Sequence, residues 1–250
     1  MKKRVQQKIA LITGGASGIG LAIAQKFISQ GIRTIITGRD TKKLKAAKSE
    51  LGDLCIPLKM DISKLDNTPK LIKKIISNYG RIDILVNNAG INLKKDLTHV
   101  SNEEFQQILL TNVTGAFVIS REVAKEMIHQ KKGMILNISS MAAHYGLPKV
   151  IAYTASKTAI EGMTRGMAVE LSPFGILVNC IAPGFIQTNM SSTALNNDPE
   201  RKQRVLKRTP LGKLGLPEDV ANTAYFLVSD QNTYITGAVI PVDGGNSIGF

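Results

Sequence analysis

The chain has 250 residues, 43% of them hydrophobic, no Trp and a formal net charge of +13. This length suits one large domain or two small ones, with a substantial buried core. Thr, Ser and glycines interrupt the apolar stretch that follows the basic N-terminus, which argues against a signal peptide and a membrane-spanning helix. We therefore expect a cytoplasmic protein with no membrane partner.

The basic residues are spread along the chain, with one denser block at 201–213. Aromatic residues do not interleave with them, and no helix-turn-helix or zinc spacing occurs, so the pattern argues against nucleic-acid binding. The charge favours an anionic substrate or a cofactor phosphate instead. Cys55 and Cys180 have no metal-ligand or redox-motif spacing, so we expect both to be small buried residues in a reducing compartment.

Short apolar, β-branched runs alternate with amphipathic stretches of helical period along the whole chain. The predicted strands lie at 8–14, 33–38, 55–61, 82–90, 133–140, 176–184 and 238–245. The predicted helices lie at 20–31, 40–52, 69–80 and 102–130, with one more carrying Tyr153 and Lys157. This rhythm predicts a doubly wound α/β fold over 1–250, with a seven-stranded, mostly parallel sheet covered by helices on both faces.

The segment TGGASGIG, Thr13–Gly20, lies directly between the first strand and the first helix. Gly14 would allow the tight turn, Gly18 the close approach of a pyrophosphate, and Gly20 close packing of the helix on the strand. The helix N-terminus would offer free N–H groups to the phosphates. The alternative is a plain turn that uses glycine only for its backbone freedom.

Three further motifs occur in a fixed order: NNAG at Asn87–Gly90, YTASK at Tyr153–Lys157 and APGFIQT at Ala182–Thr188. With the TGxxxGxG spacing of the glycine segment, they make the whole chain resemble the classical short-chain dehydrogenase/reductase family. The resemblance implies a Rossmann-type NAD(P)-binding oxidoreductase that interconverts a ketone and a secondary alcohol. It implies cofactor contacts at Gly14, Ser17, Gly18, Ile19, Gly20, Arg39, Asp61, Ile62, Asn88, Ala89, Gly90, Tyr153, Lys157, Pro183, Gly184, Ile186 and Thr188.

The end of the second strand bears on which dinucleotide binds. Family members that use NAD typically carry Asp where Gly38 stands, and Arg39 follows here. A guanidinium attracts a 2′-phosphate, so the sequence predicts NADP(H). NAD(H) stays open, because Ser17 stands where many NADP-dependent relatives have a basic residue and because Asp40 could fold back. Asp61 is expected either to contact the adenine or to cap the helix that follows.

Tyr153 and Lys157 are four residues apart, so on a helix they share a face. A nearby ammonium favours the phenolate, and Tyr153 could then donate a proton to a carbonyl oxygen during reduction. The resemblance adds Ser140, thirteen residues before the tyrosine, as the residue that holds the substrate oxygen. It also adds Asn112, whose distorted helix would hold a water for proton relay to Lys157. The alternatives are a capping serine, an exposed asparagine and a solvated Tyr–Lys pair.

His99, His129 and His144 have no metal-like spacing, and we predict no metal site. His144 follows the predicted catalytic serine and could line the cleft or lie on the surface.

The stretch 187–216 is polar, then basic, and predicts a lid over an anionic substrate. The sequence is most similar to 3-oxoacyl-[acyl-carrier-protein] reductases, and Lys131 and Lys132 could meet an acidic carrier. LSPFG, however, lacks the second arginine that many of these enzymes carry. NNAGINLKK and TGRD are also similar to gluconate 5-dehydrogenases, so a sugar-acid or polyol dehydrogenase is the alternative. A sensor that binds NADP(H) without chemistry is a remote third possibility.

The resemblance also implies a homotetramer, or a homodimer, in which the helices of Asn112 and Tyr153 pair with their copies. Small residues at Ala155, Ala159 and Gly162 would permit such close helix packing.

Overall fold

The computed structural model describes residues 7–188 and 198–249, which form one seven-stranded sheet and the helices around it. The strands are β1 Ile9–Thr13, β2 Arg33–Gly38, β3 Cys55–Lys59, β4 Ile84–Asn87, β5 Gly133–Ile138, β6 Ile176–Pro183 and β7 Val239–Val242. The helices are α1 Gly18–Ser29, α2 Thr41–Leu51, α3 Asn67–Tyr79, α4 Asn102–Leu109, α5 Gly115–Gln130, α6 Ile151–Leu171, α7 Pro199–Arg208 and α8 Pro217–Val228.

The strand order is β3-β2-β1-β4-β5-β6-β7, and every pairing is parallel. Side chains that alternate along β1 enter two separate cores. Ala10 and Ile12 pack with α1, α2 and α8, whereas Ile9 and Leu11 pack with α3, α5 and α6. The predicted α/β class, with helices on both faces of a seven-stranded sheet, is therefore confirmed.

The order of strands reverses between β1 and β4, because the chain runs outward to β3 before it returns to β4. In open parallel sheets, ligands bind beyond the carboxyl ends of the strands at such a reversal. Among the described residues, no helix is long and apolar enough to cross a bilayer.

The helix predicted at 102–130 is not continuous, because a π-helical turn at Leu110–Thr114 separates α4 from α5. Among the described residues, two helices were not predicted from the sequence. Helix α7 lies inside the stretch predicted as a lid. Asp198 caps its N-terminus by accepting a hydrogen bond from the Arg201 amide, and Pro199 lies in its first turn. Helix α8 begins at Pro217 and buries an apolar face against α1. Part of the predicted lid, 189–197, lies outside the described residues.

Candidate active site

The glycine segment connects β1 to α1 through a turn that only small residues permit. Gly14 and Gly18 have φ values of +65° and +54°, which favour glycine. A Cβ on Gly20 would lie 2.4 Å from the Gly14 carbonyl oxygen and 2.4 Å from Asn88 Nδ2. Glycine at position 20 thus lets α1 approach the end of β4.

Asn88 fixes this arrangement from the neighbouring strand. Its Nδ2 donates to the carbonyl oxygens of Thr13 (3.0 Å) and Gly14 (3.1 Å). Thr13 Oγ1 in turn accepts the amides of Asn88 and Ala89, each at 3.0 Å. The ends of β1 and β4 are therefore locked together at the point where the strand order reverses.

The N-terminus of α1 is suited to hold an anion. Ser17 lies at the N-cap but makes no side-chain capping bond, so the first-turn amides around Ile19 stay available for phosphate oxygens. A Cβ on Gly18 would lie 3.5 Å from Thr188 Cγ2, which shows that the loop after β6 meets the glycine segment. A glycine turn, exposed amides and an adjoining loop together fit a dinucleotide pyrophosphate.

The loop after β6 is held by main-chain bonds to the segment before α8. Pro183 ends β6, and a Cβ on Gly184 would lie 2.7 Å from Asp243 Cα. Ile186 is buried and forms a β-bridge with Gly215. These contacts place the APGFIQT motif beside the glycine turn.

Arg39 lies at the far end of the same edge and is exposed. Burial opposes ionisation of Asp61, but hydrogen bonds from Ser63 and the charges of Arg39 and Lys64 keep the pKa of its carboxyl below the usual value. Asp61 Oδ1 accepts from Ser63 N and Oγ, and α3 begins only after Asp66, so Asp61 does not cap that helix.

Ile62 and Asp40, which are the sequence neighbours of Asp61 and Arg39, also have defined structural contacts. Ile62 is buried, and a Cβ on Gly115 of α5 would lie 2.8 Å from its Cγ1. Asp40 does not fold back, because its carboxylate accepts the amides of Lys42 (2.8 Å) and Lys43 (3.1 Å) and caps α2.

The second group of predicted residues gathers around Gly90. A Cβ there would lie 3.3 Å from Asn112 Oδ1 and 3.7 Å from Lys157 Nζ. Lys157 is buried. Its Nζ donates to the Ile138 carbonyl oxygen at 2.8 Å, and the same Nζ lies 5.5 Å from the ring centroid of Tyr153. The ammonium therefore lies between the end of β5 and the phenol.

Asn112 lies inside the π-helical turn and is only 2% exposed, which rules out the exposed-asparagine alternative. Its Oδ1 accepts the Ile91 amide at 2.8 Å, and its Nδ2 donates to the Ile91 carbonyl at 2.9 Å and to Ser156 Oγ at 3.0 Å. This side chain thus ties the segment after β4 to α6, the helix that carries Tyr153 and Lys157.

Ser140 is half-buried at the end of β5, and its Oγ accepts the Ala142 amide at 3.1 Å. A capping role is therefore present, but the second lone pair and the hydroxyl hydrogen stay available for a substrate oxygen. The preceding residue, Ser139, turns toward α6 and donates to Glu161 Oε1 at 2.8 Å.

Glu161 was missed by the sequence reasoning. It is a buried carboxylate on α6, and its Oε1 also lies 3.0 Å from His144 Nε2. Its one sequence signal is its position four residues after Lys157.

Burial raises the pKa of the nearby Cys180 thiol to about 12, with the Glu161 charge adding to that effect. Cys180 and Cys55 are both buried, as predicted.

Comparison with known proteins agrees with this geometry. The profile of a family described as "Enoyl-(Acyl carrier protein) reductase" matches residues 14–247. The chain belongs to the short-chain dehydrogenase/reductase family and is an NAD(P)-dependent oxidoreductase acting on CH–OH groups.

Particular relatives are similar over nearly the full length. The 3-oxoacyl-[acyl-carrier-protein] reductase FabG of Thermotoga maritima is 39% identical over 97% of this chain and 98% of its own. The 3alpha-hydroxysteroid dehydrogenase of Mediterraneibacter gnavus is 39% identical over 96% and 97%. The solved structure of a putative gluconate dehydrogenase from Agrobacterium tumefaciens has a TM-score of 0.93 and 33% identity, covering 97% of each chain.

Proposed function

We propose that this chain is an NADP(H)-dependent 3-oxoacyl thioester reductase in which Tyr153 is the acid/base. The observation that carries the proposal is that Asn112 and Lys157 meet at Gly90, while the Tyr153 ring centroid lies 5.5 Å from Lys157 Nζ and Ser140 follows the neighbouring strand β5. This group lies at the same sheet edge as the glycine segment, which is where a reacting carbonyl must meet the dinucleotide. Two of the relatives described above act on secondary alcohols or the matching ketones by their names.

The chemistry divides among these residues. The bound dinucleotide supplies the hydride. Tyr153 donates its phenolic proton to the carbonyl oxygen, and Ser140 Oγ donates a hydrogen bond that holds this oxygen in place. The buried ammonium of Lys157 stabilises the phenolate left behind. One ketone, one hydride and one proton thus give one secondary alcohol.

Asn112 and Lys157 would also restore the proton. Asn112 holds the segment after β4 against α6, and the π-helical turn around it interrupts the regular helical hydrogen bonds. Such turns are frequent at functional sites. We propose that a water in this region passes protons to Lys157, which returns them to Tyr153.

The preference for NADP(H) is supported by Arg39 and Asp40. Arg39 is exposed at the end of β2, where it can meet a 2′-phosphate. The Asp40 carboxylate, which would repel that phosphate, is engaged in capping α2. Gly14, Ser17, Gly18, Ile19 and Gly20 would hold the pyrophosphate, while Asn88, Ala89 and Gly90 would line the ribose. Pro183, Gly184, Ile186 and Thr188 would contact the nicotinamide end.

An anionic, carrier-bound substrate is supported by the basic residues of α7, which lies within the predicted lid. Lys131 is exposed, whereas Lys132 lies 3.4 Å from Asp230 and is partly neutralised. The segment LSPFG, in the neighbourhood where many carrier-protein reductases have a second arginine, carries no charge and exposes Phe174 by 43%, so the carrier surface would be less basic here.

We further propose that the chain acts in the cytoplasm as a homotetramer, or a homodimer. Phe117 of α5 and Val169 of α6 are exposed apolar side chains, and a Cβ on Gly162 would meet no atom within 4 Å. These features suit pairing of the two helices with their copies. Light scattering would give the molar mass of the assembly.

The substrate is tested by a panel of an acetoacetyl thioester, a keto sugar acid and a simple diketone, with NADPH or NADH absorbance as readout. We expect the thioester with NADPH to give the highest kcat/KM. A sugar acid turned over best would establish the gluconate dehydrogenase alternative, which the structural similarity to a putative gluconate dehydrogenase favours. Binding of NADPH without turnover of any of them would indicate a sensor.

A further inference from the structure

Glu161 lies on the same face of α6 as the two residues proposed for proton transfer. Tyr153, Lys157 and Glu161 follow one another at four-residue intervals, which stacks their side chains along one side of a helix. Glu161 is only 8% exposed. The face that carries the phenol and the ammonium therefore continues into a buried carboxylate.

This carboxylate holds both flanks of Ser140. Ser139 Oγ donates to Glu161 Oε1 at 2.8 Å, and His144 Nε2 lies 3.0 Å from the same oxygen. A carboxylate oxygen accepts hydrogen bonds, so the His144 Nε2 atom that faces it is the donor in this contact. The residue before Ser140 and the residue four positions after it are thus fixed to one atom of α6.

The turn between these two anchor points is itself well bonded. Ser140 Oγ accepts the Ala142 amide, and the Ser140 carbonyl accepts the Ala143 amide at 2.9 Å. Ser139 N continues the sheet by donating to the Ile181 carbonyl at 2.7 Å. Lys157 also joins this segment to α6, through Nζ to the Ile138 carbonyl oxygen at 2.8 Å and through its own carbonyl oxygen to Ser139 Oγ at 3.3 Å. Glu161 adds the attachment at His144, so both ends of the turn are held to α6.

A buried carboxylate is costly unless its hydrogen bonds are satisfied. Glu161 Oε1 meets two hydrogen-bonding groups, Ser139 Oγ at 2.8 Å and His144 Nε2 at 3.0 Å. An apolar residue could fill this space without that cost. A buried carboxylate at this position is therefore best explained by the two residues that it holds, Ser139 and His144, because they flank Ser140.

We propose that Glu161 is a positioning residue that sets the distance between Ser140 and Tyr153 through Ser139 and His144. The inference rests on the proposed function, in which Ser140 holds the substrate oxygen while Tyr153 protonates it. Ser140 follows β5 and Tyr153 lies on α6, and Glu161 joins the segment after β5 to α6 through Ser139 and His144.

The first test is kinetic. We expect Glu161→Ala to lower kcat about tenfold, because a 1 Å misplacement of a reacting group can cost about 100-fold and the remaining bonds to Lys157 limit the shift to less than that. The KM for NADPH should change by less than about twofold, because Glu161 contacts no residue proposed to bind the pyrophosphate. Glu161→Gln should keep most activity, since its amide oxygen can accept both bonds. Glu170→Ala, an exposed carboxylate on the same helix, is the matched control.

The second test separates positioning from a general structural role. In a Ser140→Ala background, Glu161→Ala should cause less than about a twofold further loss, because residues that act as one unit are not additive. An equal loss in both backgrounds, or no loss in the parent enzyme, overturns the proposal. Full activity of Ser140→Ala or Tyr153→Phe would instead overturn the proposed function, so the two failures are distinguishable.

Discussion

On the proposed cofactor side of the sheet edge, two short motif side chains bond to main-chain atoms: Asn88 Nδ2 donates to the carbonyl oxygens of Thr13 and Gly14, and Thr13 Oγ1 accepts the amides of Asn88 and Ala89. On the side proposed for the substrate, side chains from distant segments bond to one another. Tyr145 Oη donates to Asn246 Oδ1 at 2.6 Å, and the Arg208 guanidinium lies 4.5 Å from the Tyr145 ring centroid. The first arrangement needs only two motif side chains and nearby main-chain atoms, which suits a shared cofactor, whereas the second depends on several distant side chains and can vary with the substrate.

Of the three variants that test this comparison, Gly20→Ala on the proposed cofactor side is expected to have the largest effect. The added Cβ would lie 2.4 Å from a main-chain oxygen, so α1 and the end of β4 must move apart. We expect the KM for NADPH to rise on the order of a hundredfold. Gly166→Ala is the control, because a Cβ at Gly166 meets no atom within 4 Å. Unchanged KM in the Gly20 variant would show that this close packing does not shape the cofactor site.

A smaller effect is expected from Arg39→Gln, which tests the selectivity of the same side. Loss of a charge-assisted bond to a 2′-phosphate should raise the KM for NADPH about tenfold. The KM for NADH should stay within about twofold, because that cofactor has no 2′-phosphate. Lys45→Gln, an exposed residue of α2, is the control for general charge. Equal changes with both dinucleotides would contradict the assignment.

The smallest effect is expected on the substrate side, from Tyr145→Phe. Burial raises the pKa of the Tyr145 hydroxyl, so it stays a donor at physiological pH, although the charge of Arg208 works in the opposite direction. Removal of the hydroxyl leaves Asn246 Oδ1 buried without this donor. We expect the free energy of unfolding to fall by about 1–2 kcal/mol.

Kinetics of the same variant report on the substrate side directly. We expect the KM for substrate to rise about twofold, because the ring can still stack on Arg208. The KM for NADPH should not change. Tyr234→Phe, at a fully exposed tyrosine, should affect neither stability nor kinetics. If Tyr145→Phe changed the KM for NADPH and left the KM for substrate unchanged, the assignment of Tyr145 to the substrate side would be contradicted.

The same contrast explains what the sequence could predict. The motifs at the ends of β1, β4 and β6 are short and contiguous, so local pattern and strand position were enough to place them together. Glu161 bonds to a residue 22 positions away and Tyr145 to one 101 positions away. Such contacts exist only after the chain has folded, and a single glutamate or asparagine has no local signature.

Two other features differ in how the sequence signals them. Periodicity predicted one helix over 102–130, and only the family resemblance, which implied a distorted helix at Asn112, pointed to the π-helical turn. Helix α8 did have local signals, namely Pro217 at its start, acidic residues in the first turn and regularly spaced apolar residues. The polar stretch before α8 predicted a lid instead of a helix. Helix α7, within that stretch, has Val205 as its buried residue and so shows little apolar periodicity.

The central claim is that Tyr153 exchanges the proton with the substrate oxygen, and Tyr153→Phe tests it most directly. This substitution removes one oxygen and keeps the ring beside Lys157. With NADPH and an acetoacetyl thioester, we predict that kcat falls by about 10²- to 10⁴-fold while NADPH still binds with nearly normal affinity. A variant that turns over at near-normal rate would contradict the account.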